Sequence, residues 1–228
     1  MRCSNSSLLL VTTLLLNSLF CVGVSVGQVD TSEWSDPLSH HPERGRVIRQ
    51  FLPDTGPDSL AVALATSQGS VKHSYCFDAT KCRLRYAWTG DFINLNFHKR
   101  DGPAKILGDV FHRTSTFPLR FGSPKLKTDQ EDRDFLGFQL IDGVQVLFYD
   151  VNGITVRHRI TQPKKGIGLT HQFQIENVSK PVWFAPEEAK NISYSASKGT
   201  RQNGMLKLTP EQARKFSVSL TVQQKEDK

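Results

Sequence analysis

The chain has 228 residues, of which 38% are hydrophobic and 22% charged, with 16 Gly and 11 Pro. This composition excludes collagen-like, coiled-coil and wholly disordered proteins, and the chain is long enough to bury a core without disulfides or metals. The formal net charge of +7 at pH 7 is spread along the sequence without a dense basic tract, which argues against a nucleic-acid partner.

Residues 1–27 are typical of a signal peptide. The basic Arg2 precedes an apolar run at 8–16, and small residues follow where a signal peptidase cleaves, so we expect cleavage before Gln28. A membrane-spanning helix needs about 20 apolar residues, which disfavours an uncleaved anchor. Lipid attachment at Cys21 is a second alternative. The sequence therefore predicts a periplasmic or secreted protein without a membrane span after cleavage.

The rest of the chain divides into a short polar segment and a long patterned one. Residues 28–45 are polar, contain two Pro and predict a flexible lead-in. Residues 46–228 predict a single all-β domain, an antiparallel β-sandwich, because short apolar runs recur between Gly, Asp, Asn and Pro. The predicted strands are 60–66, 71–77, 82–88, 105–112, 135–141, 144–150, 153–160, 168–177, 192–197, 204–208 and 215–223.

Three of these segments alternate apolar and polar residues, as half-buried antiparallel strands do: 153–160, 168–177 and 215–223. The segment 144–150 is apolar on both faces, which predicts a central strand. Each alternating segment therefore has a predicted inner face and a predicted outer, polar face.

Local turn and cap signals join these strands. Asp142-Gly143 and Asn152-Gly153 favour tight hairpin turns, so a three-stranded meander is predicted over 135–161. Residues 209–215 predict one short helix near the C-terminus, with a threonine cap, a proline in the first turn and Gln212 completing a capping box.

Only Cys76 and Cys82 remain after the predicted cleavage. An oxidising compartment favours a disulfide between them. A simple hairpin that pairs Phe77 with Cys82 opposes it, because the two thiols then point to opposite faces unless a bulge intervenes. The same register places Tyr86 and Trp88 on the apolar face with Cys82. The disulfide is left open by these two arguments.

Cofactor and nucleophile motifs give no positive signal. The sequence has no C-x-x-C-H for covalent haem, no H-x-x-x-H for zinc and no G-x-S-x-G nucleophile turn, so no catalytic residue, metal or cofactor is predicted. His158 and His171 fall on the apolar faces of their strands. We interpret both as packed, hydrogen-bonded core residues.

The densest stretch of candidate ligand residues is 83–92. In one interpretation Trp88 stacks on a ligand, and Arg83, Arg85 or Asp91 make polar contacts with it. In the other, Trp88 fills the core and the two arginines are solvated. The alternation of the strand favours the core for Trp88.

Four short segments stand out together: Arg49-Gln50-Phe51-Leu52-Pro53, Phe77-Asp78-Ala79, Arg83-Leu84-Arg85-Tyr86-Ala87-Trp88-Thr89-Gly90-Asp91-Phe92 and Leu107-Gly108. They resemble a β-sandwich module of planctomycete-type exported multidomain haem-binding proteins. In those proteins the module accompanies a cytochrome c domain and often a sugar-dehydrogenase-like propeller. The resemblance covers roughly residues 46–178.

The resemblance implies an exported, non-catalytic binding or accessory module, whose ligand is a carbohydrate or a partner redox protein. The haem motif and the propeller repeats are missing from this sequence, so electron transfer and sugar oxidation are not expected of it. The resemblance supplies no catalytic residues. The alternative is a carbohydrate-active enzyme with two carboxylates facing each other in a cleft. Acidic polysaccharides and anionic envelope surfaces are the partners that the basic charge itself would favour.

Overall fold

A computed structural model describes residues 45–66, 70–95, 103–125 and 132–223. These ranges all belong to one compact unit. They form three antiparallel sheets and one short helix, which confirms the predicted all-β class. The predicted signal peptide at 1–27 and all of the predicted lead-in except Gly45 lie outside the described residues.

The first sheet is a five-stranded meander in which each strand pairs with the next along the chain. Its strands are β1 (Arg46–Arg49), β2 (Ser59–Ala63), β3 (His73–Asp78), β4 (Arg83–Asn94) and β5 (Lys105–Arg113).

The second sheet has six strands and contains the predicted meander. In spatial order its strands are β12 (Ile192–Ala196), β15 (Lys215–Val222), β10 (Gly168–Ile175), β9 (Ile154–Thr161), β8 (Val144–Val151) and β7 (Arg133–Ile141). The hairpin turns at Asp142-Gly143 and Asn152-Gly153 are confirmed, since all four residues adopt the positive φ angles that such turns require.

The third sheet has four short strands, in the spatial order β13 (Thr200–Gln202), β14 (Met205–Leu208), β11 (Val182–Phe184) and β6 (Leu119–Phe121). The helix α1 (Pro210–Ala213) leads into β15. It carries the predicted capping box, in which the Thr209 side chain and Gln212 bond to each other's backbone N–H groups.

Two hydrophobic cores flank the five-stranded sheet. The main core contains buried residues of all three sheets, such as Tyr75, Leu147 and Val182. The second core covers the opposite face of the five-stranded sheet and includes Tyr86 and Trp88. The central part of the five-stranded sheet is therefore buried on both faces, which explains why its strands β2 and β3 have no exposed residue.

The predicted register of the β3–β4 hairpin is wrong. Phe77 pairs with Leu84 rather than Cys82, and Cys76 pairs with Tyr86, so Arg85 is an extra residue in a β-bulge. Because one extra residue reverses the side chains that follow it, Tyr86 turns to the second core while Cys82 stays in the main core.

Candidate functional site

The two arginines of the predicted ligand stretch are held by other protein groups. The Arg83 side chain is only 15% exposed, and its Nε lies 3.8 Å from the carboxylate of Asp78. Arg85 donates to the backbone carbonyls of Asp54, at 3.2 Å, and Thr114. Neither guanidinium lines any of the four cavities considered below.

Trp88 is fully buried, which confirms its predicted place in a core and excludes an exposed stacking platform in this conformation. Its indole Nε1 donates to the backbone carbonyl of Asp91 at 3.1 Å, and its ring stacks on Phe92 with centroids 6.1 Å apart. The Asp91 carboxylate lies at the surface, 2.9 Å from Lys72 Nζ. The predicted candidates Arg83, Arg85, Trp88 and Asp91 therefore do not converge on one site.

Cys76 and Cys82 are both buried free thiols, so the structure has no disulfide between them. Cys76 belongs to the second core and Cys82 to the main core, on opposite faces of the sheet. The bulge lies beyond Cys82 and does not bring the thiols together. Burial raises the pKa of each thiol to about 12, which keeps both protonated and unreactive.

The buried polar residues His112, His158 and His171 form a histidine cluster where the three sheets meet. His158 Nε2 lies 2.9 Å from His171 Nδ1, and Tyr149 Oη lies 3.4 Å from His158 Nδ1. If Tyr149 donates, neutral His158 must carry its proton on Nε2 and donate to His171. This arrangement confirms the predicted packed, hydrogen-bonded role of His158 and His171.

The histidine cluster borders a small cavity of about 30 Å³, which also contacts Glu187 and Tyr194. A cavity of this size holds about one water molecule. Burial lowers the pKa of His112 to about 4 and that of His171 to about 3, and it also lowers the pKa of His158, so all three imidazoles are neutral at pH 7. Within the described ranges, no group of three potential metal ligands converges. The cluster is therefore best explained as part of the core.

The largest depression that we describe, about 910 Å³, lies on the outer face of the six-stranded sheet. Pairing aligns its side chains in two rows across the strands. The first row consists of Gln139, Val146, Arg159, Gln172, Ser217 and Ser197. The second row consists of Phe148, Arg157, Gln174 and Lys215. We call this two-row surface the outer groove.

The outer groove follows from the period of the strands. Inward residues such as Phe173 fill the main core, so their neighbours Gln172 and Gln174 point to the other face. The first row crosses six strands about 4.8 Å apart and is about 24 Å long, whereas the second row crosses four strands and is about 14 Å long. The groove is therefore long, shallow and polar.

The electrostatics of the outer groove are one-sided. Its lining includes Arg157, Arg159, Lys198 and Lys215, and none of its described lining residues is acidic. Among these four residues, Arg157 alone has a carboxylate partner in the described part of the chain, since its Nη2 lies 2.8 Å from Glu176 Oε1. Its guanidinium also lies over the Phe148 ring. The groove as a whole is basic.

The four depressions that we describe do not bring two carboxylates together. Glu187 is the one acidic residue beside the histidine cluster, Glu188 is the one acidic residue of the depression near Arg201, and the other two depressions have none among their described residues. Paired-carboxylate hydrolysis needs both groups in one cleft. The described cavities therefore give the enzyme alternative no site.

Sequence reasoning missed the outer groove because no single segment contains it. The polar faces of 153–160, 168–177 and 215–223 were each apparent, but their side chains come together only through strand register. The available signal was the alternating polar positions of these predicted strands. Aligning the strands in an antiparallel order would have placed those positions side by side and revealed the rows.

No family model matches this chain, and no curated protein or solved structure shows significant similarity to it. Among the described residues, no helix is long and apolar enough to cross a membrane. The fold and the groove define an all-β protein with a basic, polar depression on one sheet.

Proposed function

We propose that this chain is an exported, non-catalytic binding module that holds a carbohydrate chain across the outer groove. The observation that carries the proposal is the alignment of polar side chains in two rows on one sheet face. The N-terminal pattern at 1–27 supports export.

The residue types of the outer groove suit a polyhydroxylated polymer. Gln172 and Gln174 each offer an amide donor and acceptor, and Ser217 adds a hydroxyl, so hydroxyl groups along a sugar chain find partners on adjacent strands. Phe148 provides an apolar surface beside them. An open groove about 24 Å long accommodates an extended chain better than a small molecule.

Two alternatives remain from the sequence. One is a partner redox protein, but the core of a protein–protein interface is usually depleted of lysine and serine and enriched in aromatic residues. The two rows of the outer groove instead contain Lys215, Ser197 and Ser217, with Phe148 as their one aromatic residue. A carbohydrate-active enzyme would need two carboxylates in one cleft, which the four described depressions lack among their described residues. Binding without hydrolysis is thus the function that the geometry favours.

The test is binding of the purified mature chain to a panel of soluble neutral and acidic polysaccharides by affinity electrophoresis and calorimetry. The double variant Gln172→Ala/Gln174→Ala removes both exposed amides from the groove, and Gln202→Ala removes one from β13 as a matched control. We expect binding to at least one polysaccharide, lost in the double variant and kept in the control.

Three results would contradict the proposal. These are no binding to any polysaccharide, equal binding by the double variant, or release of new reducing ends during incubation, which would show hydrolysis. Melting temperatures of both variants should match the parent chain, because the substituted glutamines are exposed.

A further inference from the structure

The charges of the outer groove are not all used by the protein itself. Arg157 is paired with Glu176 at 2.8 Å and lies over Phe148, so its position and charge are largely satisfied. Arg159, two residues along β9, has no acidic partner among the described residues. Its neighbours in the first row are Val146 and Gln172, which are both uncharged.

The Arg159 side chain lines the outer groove. Its Nε is buried and makes no hydrogen bond within the described structure, while the side chain as a whole remains partly exposed. The Nη nitrogens are therefore the part available to a ligand. A guanidinium that the protein leaves unneutralised favours an anion, and its planar fork matches the two oxygens of a carboxylate.

A second unpaired cation lies farther along the groove. Lys215 is in the second row on β15, two strands from Arg159, and has no ion pair among the described residues. Strand spacing and rise place the two Cα atoms about 12 Å apart. Two cations at this distance contact different units of an extended chain rather than one small anion.

Resting on the proposed function, we infer that the outer groove selects an acidic polysaccharide, with a uronate carboxylate bound by Arg159 and a second carboxylate near Lys215. The charge complementarity of the groove, which has four basic and no acidic residues in its described lining, supports this choice over a neutral polymer. The same geometry requires a polymer, since a monosaccharide reaches only one of the two cations.

The experiment compares polygalacturonate with its methyl ester, which has the same backbone without the charge, and with free galacturonic acid. Calorimetry of the mature chain should give binding to the acidic polymer that weakens as salt is added. The ester and the monosaccharide should bind at least about tenfold more weakly, because each loses a charge-assisted contact.

Variants then locate the charge. Arg159→Gln should weaken binding about tenfold or more. Arg49→Gln removes an equally charged, exposed residue from β1 of the five-stranded sheet, away from the outer groove. This control should change binding less than about twofold. Arg159→Lys keeps the charge without the fork, should bind with intermediate affinity, and replaces Arg159→Gln as the test if the latter does not fold.

The outcomes separate the two proposals. Equal binding of the ester and the acid, or equal effects of Arg159→Gln and Arg49→Gln, would overturn the acidic specificity and leave carbohydrate binding intact. Binding to neutral polysaccharides alone would do the same. Failure of every polysaccharide, or capture of an acidic protein in their place, would overturn both proposals.

Discussion

Mild acid should destabilise this protein through its histidine cluster. His112, His158 and His171 are buried and neutral, with pKa values lowered by burial, whereas an unfolded chain has histidine pKa values near 6.5. Below that value the unfolded chain takes up protons that the folded chain excludes. The stabilising contribution is therefore complete above about pH 6.5 and is lost progressively as the pH falls towards the lowered values.

The size of the effect follows from the proton difference. Moving from pH 7 to pH 5 favours the unfolded state by about 2 kcal/mol for each histidine that stays neutral when folded, or about 6 kcal/mol for the three. The total unfolding free energy of a domain is usually about 5–15 kcal/mol. The histidine cluster should thus remove between about two fifths and all of the unfolding free energy at pH 5, where few carboxylates have yet been protonated.

Urea denaturation at constant ionic strength, followed by tryptophan fluorescence at pH 7, 6 and 5, measures this loss. His171→Gln removes one titrating group. It should therefore reduce the number of protons that the chain takes up on unfolding at pH 5 by about one. Tyr149→Phe removes only the hydroxyl that faces His158. It should lower stability by about 1 kcal/mol at every pH and leave the pH dependence unchanged.

An unfolding free energy at pH 5 within about 1 kcal/mol of that at pH 7 would refute this reasoning, since one histidine alone should contribute about twice that. An unchanged pH dependence in His171→Gln would refute it separately. Either result would mean that the folded protein admits protons to the histidine cluster, for example through water in the cavity beside Glu187.

Three further predictions concern the core and the termini. Trp88→Ala should lower the unfolding free energy by about 3–5 kcal/mol in urea denaturation, as large buried aromatics do, and a change below about 1 kcal/mol would contradict its burial. Thiol titration should find Cys76 and Cys82 unreactive in the native protein and both free after denaturation; a titre of zero in denaturant would reveal a disulfide. Mass spectrometry of the exported protein should show an N-terminus near Gln28, and an intact Met1 would exclude cleavage.

The strands with clear periodicity were predictable from sequence. All eleven predicted strands occur in the structure with bounds shifted by a few residues, apart from β4, which extends well beyond its prediction to Asn94. The four strands that were missed, β1, β6, β11 and β13, have only three or four residues each, too few to establish an alternation. Two of them, β6 and β11, also pair with strands distant in sequence, since β6 pairs with β11 and β11 with β14.

The β3–β4 hairpin shows where local reasoning ends. Periodicity alone places Tyr86 and Trp88 on the face of Leu84, and the single extra residue Arg85 reverses them. Both faces of this sheet are buried, so apolar residues on either side fit a core. Between Arg85 and Asp91 the strand has no charged residue to mark the shift. The burial of Trp88 was thus predictable, whereas the core that contains it was not.

The outer groove could not be predicted from the sequence, because its residues are dispersed over several strands. The stretch 83–92 attracted attention because its arginines and aromatics are contiguous, yet the fold commits them to Asp78, Asp54 and the second core. The outer groove uses ordinary glutamines, serines and arginines from separate strands, and none is unusual by itself. A binding surface on a sheet face depends on residues two apart in each strand and opposite each other between strands. Strand order and register must therefore be known before Arg159 can be recognised as a cation of the groove without an acidic partner among the described residues.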